Sequence, residues 1–351
     1  MQNRVLNERE SSILIAVVFE YITTGKPVGS RSFGNKYSLS ISPATIRNVM
    51  SDLEAMGYLT QPHTSAGRIP TDKGYRFYVD SLLDSYDSVK TDKINFKEDS
   101  LKEELMKREL HLDRMFSSIT KMLSINSKYA GVVLSPMPDY TVVKHIELVP
   151  LGNNNILFVL ITRMGMVLNR KITISASIDY DDLFRYSKYL TGELCGFSLF
   201  DIKGGILKNL RNNKLITGTE ELAIDIAELA LTKSDEPGLF IEGIENLLHI
   251  PEMIESERLN ALLHLFEEKR IIKGIMENNI NTDGVHSLIG EEIDGKEITG
   301  CSIVFSSYKI GSKNVGSLGI LGPTRMDYEK VVPLVDYTGK MVSNFLTEMA
   351  K

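Results

Sequence analysis

Arg47 and Asn48 stand side by side in a segment poor in other long polar side chains, Ser42-Pro43-Ala44-Thr45-Ile46-Arg47-Asn48-Val49-Met50-Ser51-Asp52-Leu53-Glu54-Ala55-Met56-Gly57. A guanidinium and a carboxamide each present paired hydrogen-bonding groups, which is the chemistry that reads a base edge. Ser42, Thr45 and Ser51 add short hydroxyls suited to base-edge or phosphate contacts. The segment reads as a helix, because Ser42 is a good N-cap, Pro43 fits the first helical position and Gly57 supplies the left-handed residue past the end. Ile46, Val49, Met50, Leu53 and Met56 share one side at helical spacing. The far side carries Ala44, Asn48, Ser51 and Ala55, flanked by Thr45 and Arg47, where an ordinary surface helix carries Glu and Lys. A face of this kind fits the DNA major groove.

The flanking residues supply the elements that position it. Asn7 and Glu10 have capping-box spacing ahead of a helix from Glu8 to about Thr24, with Ile13, Leu14, Val17, Val18, Tyr21 and Ile22 in phase and Gly25 and Pro27 as stops. A second short helix from near Ser30 to around Tyr37, then the turn Ser38-Leu39-Ser40-Ile41, completes a helix-turn-helix unit. Downstream, Tyr58–Gln61 and Ile69–Thr71 form a hairpin, the wing, with Arg68 at its tip positioned for a narrow minor groove or a phosphate. Thr71 caps a helix from Asp72 that carries Lys73 and Arg76. Arg31, Lys73 and Arg76 are phosphate anchors on this reading. The competing reading is a winged helix that contacts only protein, with Arg47 an ordinary solvated side chain and Asn48 and Ser51 filler. Residues 1–80 hold nine Lys and Arg against seven Asp and Glu, a net of +2 in a chain whose net is −6. So weak a basic footprint leaves much of the affinity to specific contacts and dimerisation.

Other chemistries find little purchase. Cys195 and Cys301 give no disulfide framework or zinc set and suit a reducing cytoplasm. His63, His111, His145, His249, His264 and His286 are scattered without metal-ligand spacing, and no GxxxxGK[ST], GxSxG or HExxH occurs. Asp181-Asp182 beside Tyr180 reads as a helix start rather than an acid/base pair. Gly316, Gly319 and Gly322, three apart, mark a strand with tight backbone packing. No apolar stretch approaches transmembrane length; the run Ile13–Phe19 is too short to span a bilayer, and the nearby Glu8, Glu10 and Glu20 argue against a signal peptide. No cofactor, metal or membrane is expected, and an enzyme is not.

At 351 residues the chain holds two or three domains. Residues 81–99 read as a helix end and a polar linker, and Ser100 with Glu103 forms another capping box. Leu101, Leu105, Leu112, Met115, Ile119 and Met122, with Arg108 the mismatch, make a heptad-like seam. Leu110, Phe116 and Leu123 widen it, which favours packing on the protein's own sheet over a free coiled coil. Strands follow at 129–135, 141–150, 155–162 and 166–174, then helices near 180–191, 200–212 and 219–233 and one carrying Leu259, Leu262, Leu263 and Phe266. Strands return at 287–290, 301–308 and 316–322 before a final helix from about Asp327 to Met349, kinked early by Pro333. This order predicts an antiparallel α+β domain interrupted by a helical insertion, or, alternatively, a separate domain built on the first four strands.

The segment from Gly57 through His63-Thr64-Ser65-Ala66-Gly67-Arg68-Ile69-Pro70-Thr71 to Arg76 closely resembles the wing of the bacterial heat-inducible transcription repressor HrcA family. Ser42–Asn48 looks like that family's recognition helix, and Gly322-Pro323-Thr324-Arg325-Met326-Asp327-Tyr328 resembles a second family signature. The resemblance runs essentially full length, with 176–255 matching only in general character. It implies an α+β multidomain architecture: a winged helix-turn-helix at 1–85, a GAF-like antiparallel domain at 100–175 and 256–351, and an inserted, mainly helical dimerisation domain at 176–255. It also implies a homodimer that binds double-stranded DNA at an inverted-repeat operator, the CIRCE element, represses chaperone operons and depends on the chaperonin GroEL. A marginally soluble or slow-folding repressor would suit that dependence. The alternative is a metabolite-responsive winged-helix transcription factor with a small ligand in the GAF-like domain.

Overall fold

The computed structural model describes residues 6–30, 33, 42–63, 66–88, 112–174, 179–212, 218–232, 236–250, 269–293 and 300–350. Helix α1, Glu8–Thr24, opens with the expected reciprocal box: the Glu10 N–H donates to Asn7 Oδ1 at 3.0 Å and the Asn7 N–H to Glu10 Oε2 at 2.9 Å. It ends at Gly25 in the left-handed region, φ 66°. Of the expected second helix, only Ser30 and Phe33 lie within the described residues, and both are helical. Helix α2, Pro43–Ala55, buries Ile46, Met50 and Leu53 against Ile13, Leu14, Val17 and Val18 of α1. Each such aliphatic side chain contributes about 1.5–3 kcal/mol by leaving water. Strands β1 (Leu59–Thr60) and β2 (Ile69–Pro70) pair antiparallel, and α3, Asp72–Ser88, follows. The Thr71 hydroxyl accepts from the Gly74 N–H at 3.3 Å and donates to the Gly57 carbonyl at 2.7 Å, so one residue starts α3 and ties it to the end of α2.

Helix α4, Leu112–Ser127, turns Leu112, Met115, Phe116, Ile119 and Leu123 onto the protein's own sheet, as the widened seam predicts. Leu101, Leu105 and the Ser100–Glu103 box lie outside the described residues. Strand β3, Ala130–Leu134, precedes a three-stranded antiparallel sheet of β4 (Val143–Gly152), β5 (Asn155–Thr162) and β6 (Val167–Thr173), in the order β4-β5-β6. Next come α5 (Tyr180–Leu194), a three-part helical stretch of Leu199–Asp201, Ile202–Ile206 and Leu207–Arg211, and α6 (Gly218–Leu231). The chain then returns to β3's side with β7, Leu239–Glu242, followed by α7, Ile244–Leu248, and α8, Lys269–Asn278. Strands β8 (Val285–Ile289), β9 (Cys301–Ile310) and β10 (Lys313–Pro323) lead to α9, Tyr328–Met349, which runs unbroken across Pro333. The five-stranded antiparallel sheet has the order β7-β3-β10-β9-β8. One face, through Val133, Val304, Leu318 and Ile320, meets α4 and α9; the other, through Val132, Leu134, Ile303, Phe305 and Leu321, meets α7 and α8. The glycine row belongs to this packing, for a Cβ on Gly319 would stand 2.5 Å from the Val304 carbonyl and one on Gly316 would strike the Tyr308 ring.

The expected boundaries of the insertion do not hold. Val143, Ile146, Leu148, Ile156, Phe158, Leu160 and Ile172 share a separate core with Leu183, Leu190, Leu194, Ile224 and Ala227. Strands β4–β6 therefore belong with the following helices, in a unit spanning 143–231, and not with the five-stranded sheet as the division at 175 and 176 required. That unit is mixed α/β rather than mainly helical. Strand β7, inside the supposed insertion, is an edge strand of the five-stranded sheet, paired through Val132↔Ile241. The physical reason is side-chain burial by face. Along β5 every second residue is buried, the mark of a sheet covered on one side, whereas β3 is buried throughout. The helix expected around Leu259–Phe266 lies outside the described residues.

Candidate nucleic-acid interface

Helix α2 presents the small-residue face to solvent. Ser42, Ala44, Arg47, Asn48, Ser51 and Ala55 are exposed and Thr45 is half-buried. Arg47 and Asn48 make no side-chain hydrogen bond or ion pair with any of the described residues, so both stand ready for an external partner. The Ser42 hydroxyl accepts from the Thr45 N–H at 3.2 Å and lies 3.0 Å from the Thr45 hydroxyl. These two side chains fix the helix start before they meet any ligand. The first turn of α2 holds no acidic residue, whereas that of α1 holds Glu8 and Glu10. Pro43 has no N–H and the Thr45 N–H is taken by Ser42, so the Ala44 amide is what the first turn of α2 offers, with no carboxylate in that turn to repel a phosphate.

Four expected basic contacts fare differently. Arg31 lies outside the described residues. Arg68 is not at the tip of the wing. Its backbone N–H and C=O pair with Val28, both at 2.9 Å, and its guanidinium bonds Glu54 of α2 at 2.8 Å. Gly67 permits that approach, for a Cβ there would stand 2.5 Å from the Val28 carbonyl. Arg68 is a brace between the wing's base and the last turn of α2, held there by a carboxylate that sequence reading left unassigned.

Lys73 likewise works inward. Its ammonium donates to the Met56 carbonyl at 3.0 Å and sits 4.2 Å from the centre of the Tyr58 ring. A cation at a helix C-terminus satisfies carbonyls that have no partner in the helix and matches the negative end of its dipole. Arg76 departs furthest from expectation. It pairs with Glu292 through two nitrogens and bonds Ser287 Oγ at 3.0 Å, the Ser287 carbonyl at 2.7 Å and Asp80 at 3.2 Å. The guanidinium is engaged with the strand β8 region, so the phosphate-anchor role does not fit this arrangement.

Sequence reasoning missed Glu54, Ser287, Glu292 and the reach of Arg325, whose Nη1 donates to the Ile22 carbonyl at the end of α1 at 2.9 Å. No local signal reveals a contact between residues three hundred positions apart. Arg325 does lie in the C-terminal signature, so the sequence marks the residue though not its partner. Of the nine expected contacts, Arg47, Asn48 and Ser51, with the cap residues Ser42 and Thr45, form the outward-facing set.

The family description HrcA protein C terminal domain matches residues 113–332. The Heat-inducible transcription repressor HrcA of Geobacter sulfurreducens is 41% identical over 97% of this chain and 98% of its own length. That of Leptospira biflexa is 35% identical over 99% of each. A crystal structure described as a hypothetical protein shares the fold, with a TM-score of 0.64 at 24% identity over 98% of this chain and 100% of that one. Both the family match, which spans more than half of the chain, and these full-length likenesses agree: the chain belongs to the HrcA family of heat-inducible transcription repressors.

Proposed function

We propose that the protein, a transcription repressor of heat-shock genes, binds as a homodimer to an inverted-repeat operator of the CIRCE type, with α2 in the major groove. Arg47 and Asn48 read base edges, Ser51 supports them, and Ser42 with Thr45 and the Ala44 amide meet phosphate. The single observation that carries this reading is the exposed, unpartnered Arg47–Asn48 pair on a face otherwise built of Ala and Ser. Dimerisation is assigned to the 143–231 unit, where Tyr180, Phe184, Phe197, Phe200 and Leu229 lie exposed. The protein acts in the cytoplasm, and GroEL assists it to its DNA-binding form. Three core clusters among the described residues and exposed aromatic side chains fit a chain that benefits from such help. The five-stranded unit corresponds to the GAF-like domain of the family.

The test is an equilibrium titration against an inverted-repeat chaperone promoter and against unrelated DNA at one salt concentration. Arg47→Ala is expected to cost about 1–3 kcal/mol on the operator and far less on unrelated DNA. Equal losses on both would make Arg47 a phosphate contact. The ligand-responsive reading has one observation behind it, an open groove of about 750 Å³ between β9 and α9, lined by Ser306, Lys309, Lys340, Ser343 and Asn344. A small molecule that raises the melting temperature and also shifts operator affinity would favour it.

A further inference from the structure

The winged helix is fastened to the five-stranded unit at separate points, and the recognition face remains uncovered in that docked state. On α3, Arg76 holds Glu292 and Ser287, and the Asp72 carboxylate accepts from the Glu291 N–H at 3.1 Å. Gly290, with φ 53°, leaves room for that carboxylate, which any Cβ there would strike. Further along α3, the Tyr86 hydroxyl donates to Asp336 at 2.8 Å, and the Tyr78 and Tyr328 rings meet edge to face at 6.5 Å. The second point is on α1, where Arg325 completes the C-terminus by donating to the Ile22 carbonyl. Its guanidinium lies where a Cβ on Gly25 would come within 3.2 Å.

A body held on two of its helices cannot pivot about either contact alone. Helix α2 is in turn tied to α3 by Thr71 and Lys73, and to the wing by Arg68 and Glu54. The chain of contacts runs from β8 and the start of α9, through α3 and α1, to the recognition helix without a gap.

We infer that Arg76–Glu292 and Arg325–Ile22 are positioning contacts that fix the separation and rotation of the two recognition helices in the dimer, and so set which half-site spacing the repressor accepts. This inference rests on the dimer and inverted-repeat reading above. Bivalent binding gains its affinity only when both sites are reached at once, and each base pair added between half-sites rotates one about the DNA axis relative to the other. A rigid clamp therefore rejects altered spacings that a loosened one tolerates.

The experiment compares the full-length protein with Glu292→Gln and with Glu292→Gln combined with Arg325→Met. Binding is measured on an isolated half-site, on the inverted repeat, and on repeats with the spacer changed by two to five base pairs. The wild type is expected to lose at least about tenfold on altered spacers, and the double variant less than about threefold, with half-site affinity unchanged in both. Should the double variant not fold, Glu292→Gln alone decides, since Glu292 is a surface side chain with 38% exposure. It is then expected to show an intermediate penalty. Variants that keep the full wild-type penalty would overturn the inference. A rise in half-site affinity with a steeper salt dependence in Glu292→Gln would overturn it too, by showing that Arg76, once freed, goes to phosphate. A wild type that binds the inverted repeat no better than a half-site would instead remove the operator reading itself.

Discussion

Helices α2 and α5 start alike and end in opposite surfaces. Ser42 and Asp179 each cap the first turn, and each helix buries a stripe: Ile46, Met50 and Leu53 in α2, Leu183, Tyr186, Leu190 and Leu194 in α5. The outer face of α2 holds Ala44, Asn48, Ser51 and Ala55, while α5 exposes Tyr180 at 68% and Phe184 at 61%. Short polar side chains let a helix backbone come close to a groove whose walls are charged. Large aromatic side chains gain nothing there, and they gain most where another apolar surface excludes water. The inward stripe therefore decides that each segment folds as a helix, and the outward residues decide what that helix meets.

The largest expected effects come from the inward stripes. Ile46→Ala and Leu190→Ala, both fully buried, are each expected to cost about 2–5 kcal/mol. Because the two side chains belong to separate cores, the losses are expected in different places. Native-state hydrogen exchange is expected to show residues 143–231 opening more readily in Leu190→Ala, and α1, α2 and α3 in Ile46→Ala. Uniform loss of protection in either variant would mean that the two units unfold as one.

Next in size are exchanges of surface character. Ala44→Glu places a long carboxylate on the face of α2 and is expected to weaken operator binding at least about tenfold while leaving self-association intact. Phe184→Glu is expected to do the reverse to association, read by sedimentation, with half-site binding retained. Neither exposed site is expected to alter folding stability by more than about 0.5 kcal/mol. A Phe184→Glu protein that still sediments as the wild type would move the dimer contact to another surface.

The two helices also show what sequence reading reaches. Caps, stripes and turn glycines are local, so Asn7, Ser42, Gly57 and Thr71 mark their element ends from neighbouring residues alone. The outward pair Arg47 and Asn48 was legible for the same reason, since helical period decides which residues point away from the core. Legibility fails where a side chain answers to a distant partner. Arg68, Lys73 and Arg76 look equally free in sequence, yet Glu54, the Met56 carbonyl and Glu292 take them. The division of the strands fails likewise: β3 and β5 are both apolar runs, and only the layers around them separate a strand buried on two faces from one buried on one. Strand β7, four residues long, carries too short a pattern to be distinguished from the loops beside it.

The smallest expected effect tests whether the shared start of the two helices is also shared in function. Ser42→Ala and Asp179→Ala each remove an oxygen that accepts a first-turn N–H, from Thr45 at 3.2 Å and from Tyr180 at 2.6 Å. Each is expected to cost about 1 kcal/mol of stability. In α5 the carboxylates of Asp181 and Asp182 remain in the first turn to oppose the helix dipole's positive end, whereas α2 has no acid there. Ser42→Ala also strips the Thr45 hydroxyl of its 3.0 Å neighbour, at the helix start proposed to meet phosphate. Denaturant titration is therefore expected to show a loss for Asp179→Ala no larger than that for Ser42→Ala, while DNA titration shows a few-fold weakening for Ser42→Ala and none for Asp179→Ala. A Ser42→Ala protein that loses stability yet binds operator as tightly as the wild type would make Ser42 a cap alone, and leave Arg47, Asn48 and Ser51 to carry recognition.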